Sequence, residues 1–289
     1  MLGLNLLANH INSYNKYIIG TRKIHYISDI HLDYADPGLL DKFYSLLNTE
    51  DIYIISGDFY NDYRKSLKVI EYLETHNIHG YWVLGNHEYI HLNEPGNVDP
   101  DNRIHNDHEL SIKPHKEYDD FLNMVIEKTK DYKNFIFLHC GVIKDLNEEY
   151  KIIGDTGWMD LKNLDNQPID YKQHEWNHIN NWDWVFEQNK KWVSYVQECI
   201  NKYDKLIVVT HHPMYFPTWE QIKSSRLKNK GNDEILFWYF NAKLEIPKDK
   251  KVLFIHGHTH TEAFVENHYT NAIGRGSERK ELAVKTLEI

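Results

Sequence analysis

Cysteine is nearly absent from this chain: two in 289 residues, Cys140 and Cys199, each inside an apolar run. That excludes a disulfide framework and a cysteine-rich zinc site, and predicts two buried free thiols. No Gly/Ser- or Pro-rich linker and no low-complexity tract interrupts the sequence, so one large core is expected. Residues 1–20 contain leucines, but no lysine or arginine before Lys16 and no long apolar run. Neither a signal peptide nor a membrane span is expected there, which predicts a cytoplasmic protein with no membrane partner. Positive charge is also short: 33 Lys and Arg stand against 43 Asp and Glu, a formal charge of −10. A surface built to hold a long nucleic-acid backbone needs clustered cations, whereas a small phosphorylated substrate is compatible with this balance.

What the chain does have is apolar runs that end in polar side chains able to bind a metal. Ile24-His25-Tyr26-Ile27-Ser28 reads as a strand from its β-branched and aromatic content and leads into Asp29-Ile30-His31. A helical pattern over 38–48 follows. Ile52-Tyr53-Ile54-Ile55 then ends in Gly57-Asp58, a second helical pattern covers about 63–76, and Tyr81-Trp82-Val83-Leu84 ends in Gly85-Asn86-His87-Glu88. Strand, helix, strand, helix, strand with short loops implies right-handed crossovers and a parallel sheet. Ligands collect at the carboxyl ends of the strands in such a sheet, so three adjacent tips would bring Asp29, His31, Asp58 and Asn86 to one place.

The middle of the chain is less regular. It carries a His- and Asn-rich stretch at 91–112 with His105, His108 and His115 nearby, and a helical pattern at about 114–131. A strand at 135–138, a short strand at Ile152-Ile153 and a long helix at about 179–202 follow. Then Leu206–Thr210 is a strand ending in His211-His212-Pro213, and Val252–Ile255 leads into His256-Gly257-His258-Thr259-His260. In an extended segment residues i and i+2 share a face, so His258 and His260 are expected on one side, as are Asp29 and His31. Residues 263–266, 268–271 and 282–286 read as antiparallel closing strands.

Taken singly, each of these Asp or His residues is more often a cap or a surface group. Taken as an ordered set, Asp29, His31, Asp58, Asn86, His211, His258 and His260 form a ligand set for two divalent metal ions. Carboxylate, amide and imidazole without thiolate suit Mn2+, Fe2+/Fe3+, Zn2+ or Ni2+. A carboxylate bridges two ions naturally, and Asp58, on the middle strand of three, is placed for it. Two dications against two carboxylates leave the centre about two charges positive, which favours a phosphate. A hydroxide bridging the metals is the expected nucleophile. His87 is the expected general acid for the leaving alkoxide, its tautomer set by a carboxylate such as Glu88 or Asp62.

These motifs resemble the calcineurin-like metallophosphoesterases, whose D-x-H, G-D-x-x-[DN], G-N-H-[DE], strand-end H and G-H-x-H stand here at Asp29–His31, Gly57–Asn61, Gly85–Glu88, His211 and Gly257–His260. The resemblance is good over about 24–89 and 206–274. It implies an α/β fold: a four-layer α/β/β/α sandwich of two mixed β-sheets, with the dimetal site at the strand C-terminal ends. It also implies that Asp29, His31 and His260 hold one metal, that Asn86, His211 and His258 hold the other, and that Asp58 bridges. By the same pattern Asn86, His87 and His212 meet substrate, His212 is not a ligand, and His256 is structural.

The expected organisation is an N-terminal arm at 1–20 and a single domain at 21–289, with insertions at about 91–131 and 214–250. The Ser/Thr protein phosphatase branch has Arg before G-N-H-E and D-R-G after the second motif; here Leu84 and Asn61-Asp62-Tyr63 stand in those places. That sets the chain apart from the protein phosphatases and the diadenosine tetraphosphate hydrolases, while Ile27–Leu32 and Thr210-His211-His212-Pro213 look more like the branch of cyclic-nucleotide phosphodiesterases and small phosphatases of unknown substrate. The expected function is hydrolysis of phosphate mono- or diesters. A nuclease is the alternative, with Lys223, Arg226, Lys228 and Lys230 guiding a strand, and a non-catalytic scaffold is a further one, disfavoured because every ligand and His87 are kept.

Overall fold

The apolar runs form strands where expected, and they alternate in what they face. The structure, a computed structural model, describes residues 22–92, 115–159, 181–214, 244–260, 262–265, 267–274 and 279–289. The N-terminal arm, His105, His108 and the Lys223–Lys230 run lie outside them. Among the described residues the strands are β1 (Ile24–Ile27), β2 (Ile52–Ser56), β3 (His79–Val83), β4 (Phe135–Phe137), β5 (Lys144–Asp145), β6 (Lys151–Asp155), β7 (Lys205–Thr210), β8 (Lys251–His256), β9 (Glu262–Val265), β10 (His268–Asn271) and β11 (Lys285–Leu287). The helices are α1 (Leu39–Ser45), α2 (Tyr63–Thr75), α3 (His115–Thr129) and α4 (Trp182–Lys202).

Two mixed sheets result, in the orders β11-β1-β2-β3-β4 and β5-β6-β7-β8-β10-β9. β1 to β4 run parallel, with β11 antiparallel on the edge. β9 and β11 close their sheets antiparallel as expected, but β10 runs parallel to β8. Its parallel partner is available because the chain passes through β9 before returning. The registers Ile27↔Ile55, Ser56↔Val83 and Val209↔Ile255 put the ends of β1, β2, β3, β7 and β8 level, which gathers their loops on one edge.

Ile54, Tyr81 and Val83 of one sheet pack with Ile152, Ile207, Val209, Leu253 and Ile255 of the other. Tyr53, Ile55 and Trp82 point the opposite way, onto Leu67, Ile70 and Leu73 of α2 and Tyr118, Phe121 and Val125 of α3. Leu206, Val208, Val252 and Phe254 face Trp192, Val196, Cys199 and Ile200 of α4. The layers are therefore helices, sheet, sheet, helix, and strand alternation builds them: consecutive residues serve different cores. Each buried aliphatic side chain contributes about 1.5–3 kcal/mol. The sheets approach so closely at Gly154 that a Cβ there would meet Val83 Cγ1 at 2.8 Å and Leu138 Cβ at 2.9 Å.

α2 starts at Asp62, whose carboxylate accepts from Arg64 N, and α4 starts at Asn181, whose side chain accepts from Trp184 N. The stretch expected as an insertion at 91–131 contributes α3, whose Tyr118 and Phe121 are buried beside Tyr89 and Trp184. Cys199 is buried and Cys140 only partly so, both as free thiols. Among the described residues no helix is long and apolar enough to cross a membrane.

Candidate metal centre

The turns at the level edge are left-handed, and this overturns one expectation from the sequence. Asp29 and His31 have φ of 51° and 45°, Asp58 60°, His258 67° and His260 50°. β1 and β8 stop before these residues, so the two i, i+2 pairs are delivered by turns and not by strand alternation. Asp and His tolerate this region better than bulkier residues, yet each such residue still costs on the order of 1–3 kcal/mol unless its surroundings hold it. Among the described residues seven non-glycines have positive φ, and five of them belong to this one site. Strain concentrated this way marks a functional site.

The side chains converge. His31 Nε2 and His260 Nε2 are 3.0 Å apart, with Asp29 Oδ1 3.5 Å from His260 Nε2. Asn86 Oδ1 lies 2.9 Å from His211 Nε2 and 3.1 Å from His258 Nδ1. Asp58 Oδ2 sits between these groups, 3.2 Å from His211 Nε2, 3.6 Å from His31 Nε2 and 3.8 Å from His87 Nε2. All seven expected ligands and His87 therefore meet, on loops from β1, β2, β3, β7 and β8.

The donor set fits divalent cations. Asp29 and Asp58 are 0% and 1% exposed, and with His211 they place ligand atoms within 4.8 Å of one another. Among the described residues their ion-pair contacts are with imidazoles, not with lysine or arginine. Buried like charges so close need a compensating cation. Burial alone raises the Asp58 carboxyl, but His211, His87 and His31 more than reverse this and hold it well below the usual carboxylate range. Burial lowers His211, and Asp58 then raises it to about 9. His258 is pushed well below the usual imidazole range by burial and by His212 and His211. Neutral His258 and ionised Asp58 are the forms in which these side chains ligate metals.

His87 differs from expectation in its partner. Its Nδ1 faces Asn61 Oδ1 at 2.7 Å, while Asn61 Nδ2 donates to the Tyr34 hydroxyl at 3.1 Å. Asp62 is occupied at the start of α2. Glu88 accepts from Asp58 N, Phe59 N and Gly85 N and from the Ser66 hydroxyl, tying the β2 and β3 loops to α2. Burial and the Asp58 carboxylate raise Glu88 to about 7. The signal for Asn61 was in the sequence, as the last position of G-D-x-x-[DN]; the role of Glu88 had none, because three main-chain N–H groups and the Ser66 hydroxyl reach it only through folding. His212, 1% exposed, packs between Trp158 and His258 at 5.3 and 4.2 Å, and His256 is buried with its ring 5.9 Å from that of His268.

The His211-His212 turn rests on the loop after β6: both backbone N–H groups donate to Thr156 O. Next to it, Asp155 accepts from Cys140 N at 2.9 Å and Gly157 N at 3.4 Å. Burial raises this carboxyl to about 6 against those donors. A folded pKa raised above the unfolded value means that the stability it adds is present below pH 3.8 and lost as pH rises through about 6. Between pH 4.5 and 7 the unfolding free energy of the natural chain is expected to fall by roughly 2 kcal/mol more than that of Asp155→Asn. Urea titrations at both pH values measure this, and a gap that stays flat refutes it.

The chain is 24% identical to the uncharacterized protein L509 of Acanthamoeba polyphaga mimivirus, covering 89% of this chain and 93% of that one. Its fold is similar to that of phosphopantetheinyl hydrolase from Mycobacterium tuberculosis, with a TM-score of 0.62 and 15% identity over 92% of this chain and 95% of that one. Residues 22–262 match the profile of the calcineurin-like phosphoesterases. With that match over most of its length, and with buried Asp and His groups able to hold metal ions, the chain belongs to the calcineurin-like phosphoesterase family.

Proposed function

We propose that the chain hydrolyses small phosphate mono- or diesters with two divalent cations, Asp29, His31 and His260 holding one, Asn86, His211 and His258 the other, and Asp58 serving both. The observation that carries this reading is the position of Asp58 Oδ2, within 3.6 Å of a nitrogen of each group. When bound, two such cations activate a water for attack and offset charge on the phosphate; Mn2+, Fe2+, Zn2+ and Ni2+ all suit these donors.

The protein's own part is orientation and proton delivery. Asn61 Oδ1 accepts the Nδ1 proton of His87 and so fixes the ring. Nε2 then faces the Asp58 side of the site, where it holds a proton for the leaving alkoxide. Asn86 Oδ1 and His212 line the same centre, His212 bracing the His258 ring.

With Mn2+ supplied, His87→Ala is expected to lose about 10²–10⁴-fold on an alkyl phosphate, and roughly tenfold or less on nitrophenyl phosphate, whose leaving group needs no proton. Equal losses on the two substrates would remove His87 from the acid role. The same assay, run over a monoester, a diester, cyclic nucleotides and single-stranded DNA, sorts the substrate classes. A phosphopantetheinyl ester joins the panel on the fold likeness to that hydrolase.

A further inference from the structure

The loop that carries Asp29 and His31 is gripped from two sides. Its backbone N–H groups go to the neighbouring loop: Asp29 N donates to Gly57 O at 3.1 Å, His31 N to Asp58 O at 3.0 Å and Leu32 N to Phe59 O at 2.8 Å. Its carbonyls go to the C-terminal segment, His31 O also accepting from Tyr34 N at 3.1 Å. Ile273 N donates to Ser28 O at 3.1 Å and Gly274 N to Asp29 O at 3.0 Å. The next two carbonyls are taken by one side chain: Arg279 Nη1 donates to Ile30 O at 3.1 Å and Nη2 to His31 O at 2.8 Å. Four successive carbonyls of a turn with two left-handed residues thus find donors in residues 273–279.

We infer that Arg279 is a positioning residue for the Asp29 and His31 half of the metal centre. It lies beyond residue 262, where the family match ends, and in none of the metal-binding motifs. The inference rests on the reading of Asp29 and His31 as metal ligands. A planar guanidinium offers two N–H groups at fixed spacing, and so can hold two adjacent carbonyls at once; an ammonium cannot reproduce this fork. Asp29 and His31 sit at φ values their side chains do not favour, so their geometry depends on such external donors. The two hydrogen bonds act on the residue on either side of the Ile30–His31 peptide, which sets where the His31 ring points. Partners behind a ligand typically change metal affinity 10–100-fold.

The test uses the full chain with Arg279→Met and Arg279→Lys, read by amide hydrogen exchange and by Mn2+ titration. In Arg279→Met, exchange over residues 29–32 is expected to speed up while β2 and β7 are unchanged. One Mn2+ is expected to bind 10–100-fold more weakly and the other within about threefold, with Arg279→Lys in between. Unchanged exchange at 29–32 overturns the inference. Unchanged or tighter Mn2+ binding also overturns it, the latter showing that the guanidinium merely repels a nearby cation. Equal weakening of both ions together with a lower melting temperature assigns Arg279 to general stability and overturns it too. An unsubstituted chain that takes up no Mn2+ sinks the metal reading itself; two ions in the unsubstituted chain with Arg279→Met indistinguishable from it sinks this inference alone.

Discussion

Asp58→Asn is expected to lower turnover with Mn2+ by at least about 10³-fold, some 4 kcal/mol of barrier, while the protein stays folded. Asparagine keeps the shape and the acceptor for His87 N, which Asp58 Oδ1 receives at 3.0 Å. What it removes is the charge on the atom that touches both ligand groups. The neighbouring imidazoles of His211 and His31 cannot replace it, because they carry no anion to hold two cations at one point. Equilibrium dialysis should show fewer than two Mn2+ bound, and circular dichroism a native fold. Activity within tenfold of the natural chain would rule out Asp58 as the shared ligand.

The second large effect is expected where no ligand is touched. In Gly85→Ala the new Cβ would lie 2.0 Å from Asp58 Oδ1 and 2.6 Å from Asp58 N. Those atoms belong to a buried carboxylate and a main chain already held by Glu88, so neither can withdraw cheaply. The turn must shift and Asp58 with it, by an amount that matters when ligand distances are set to a few tenths of an ångström. A loss of activity of about 10²-fold or more is expected, with a drop in stability of a few kcal/mol from overpacking. Gly38→Ala, where a Cβ meets nothing within 4 Å, is the control for adding a methyl group as such and should behave as the natural chain. Full activity and two bound Mn2+ in Gly85→Ala would show that the turn has slack the geometry denies.

The two effects locate the same centre by different physics, one by charge and one by space. They also separate it from the His87 step, which depends on the leaving group. A variant that loses metal should lose alkyl and nitrophenyl substrates together, whereas His87→Ala should not.

Much of the site was legible along the chain. The apolar runs that became β1, β2, β3, β7 and β8 each end within three residues of a side chain that reaches the centre, because a parallel sheet opens the carboxyl ends of its strands to a shared cleft. Asp29, Asp58 and Asn86 recur at intervals of one strand-helix unit, and their strands are neighbours in the sheet. The four layers were implied by the family resemblance alone; which face each residue serves, as with Ile54 and Ile55 on opposite sides of β2, came from the structure.

The sequence by itself determined which atoms could bind metal and in what order the strands would bring them, since strand formation and side-chain chemistry are local properties. Only the tertiary structure decided how those atoms are aimed. The left-handed turns at Asp29, His31, Asp58, His258 and His260, the Asn61 contact with His87 and the Arg279 grip on the Ile30 and His31 carbonyls each join residues brought together by folding. A strained turn is stable only because distant N–H and C=O groups satisfy it, and that pairing exists only once the two sheets have packed.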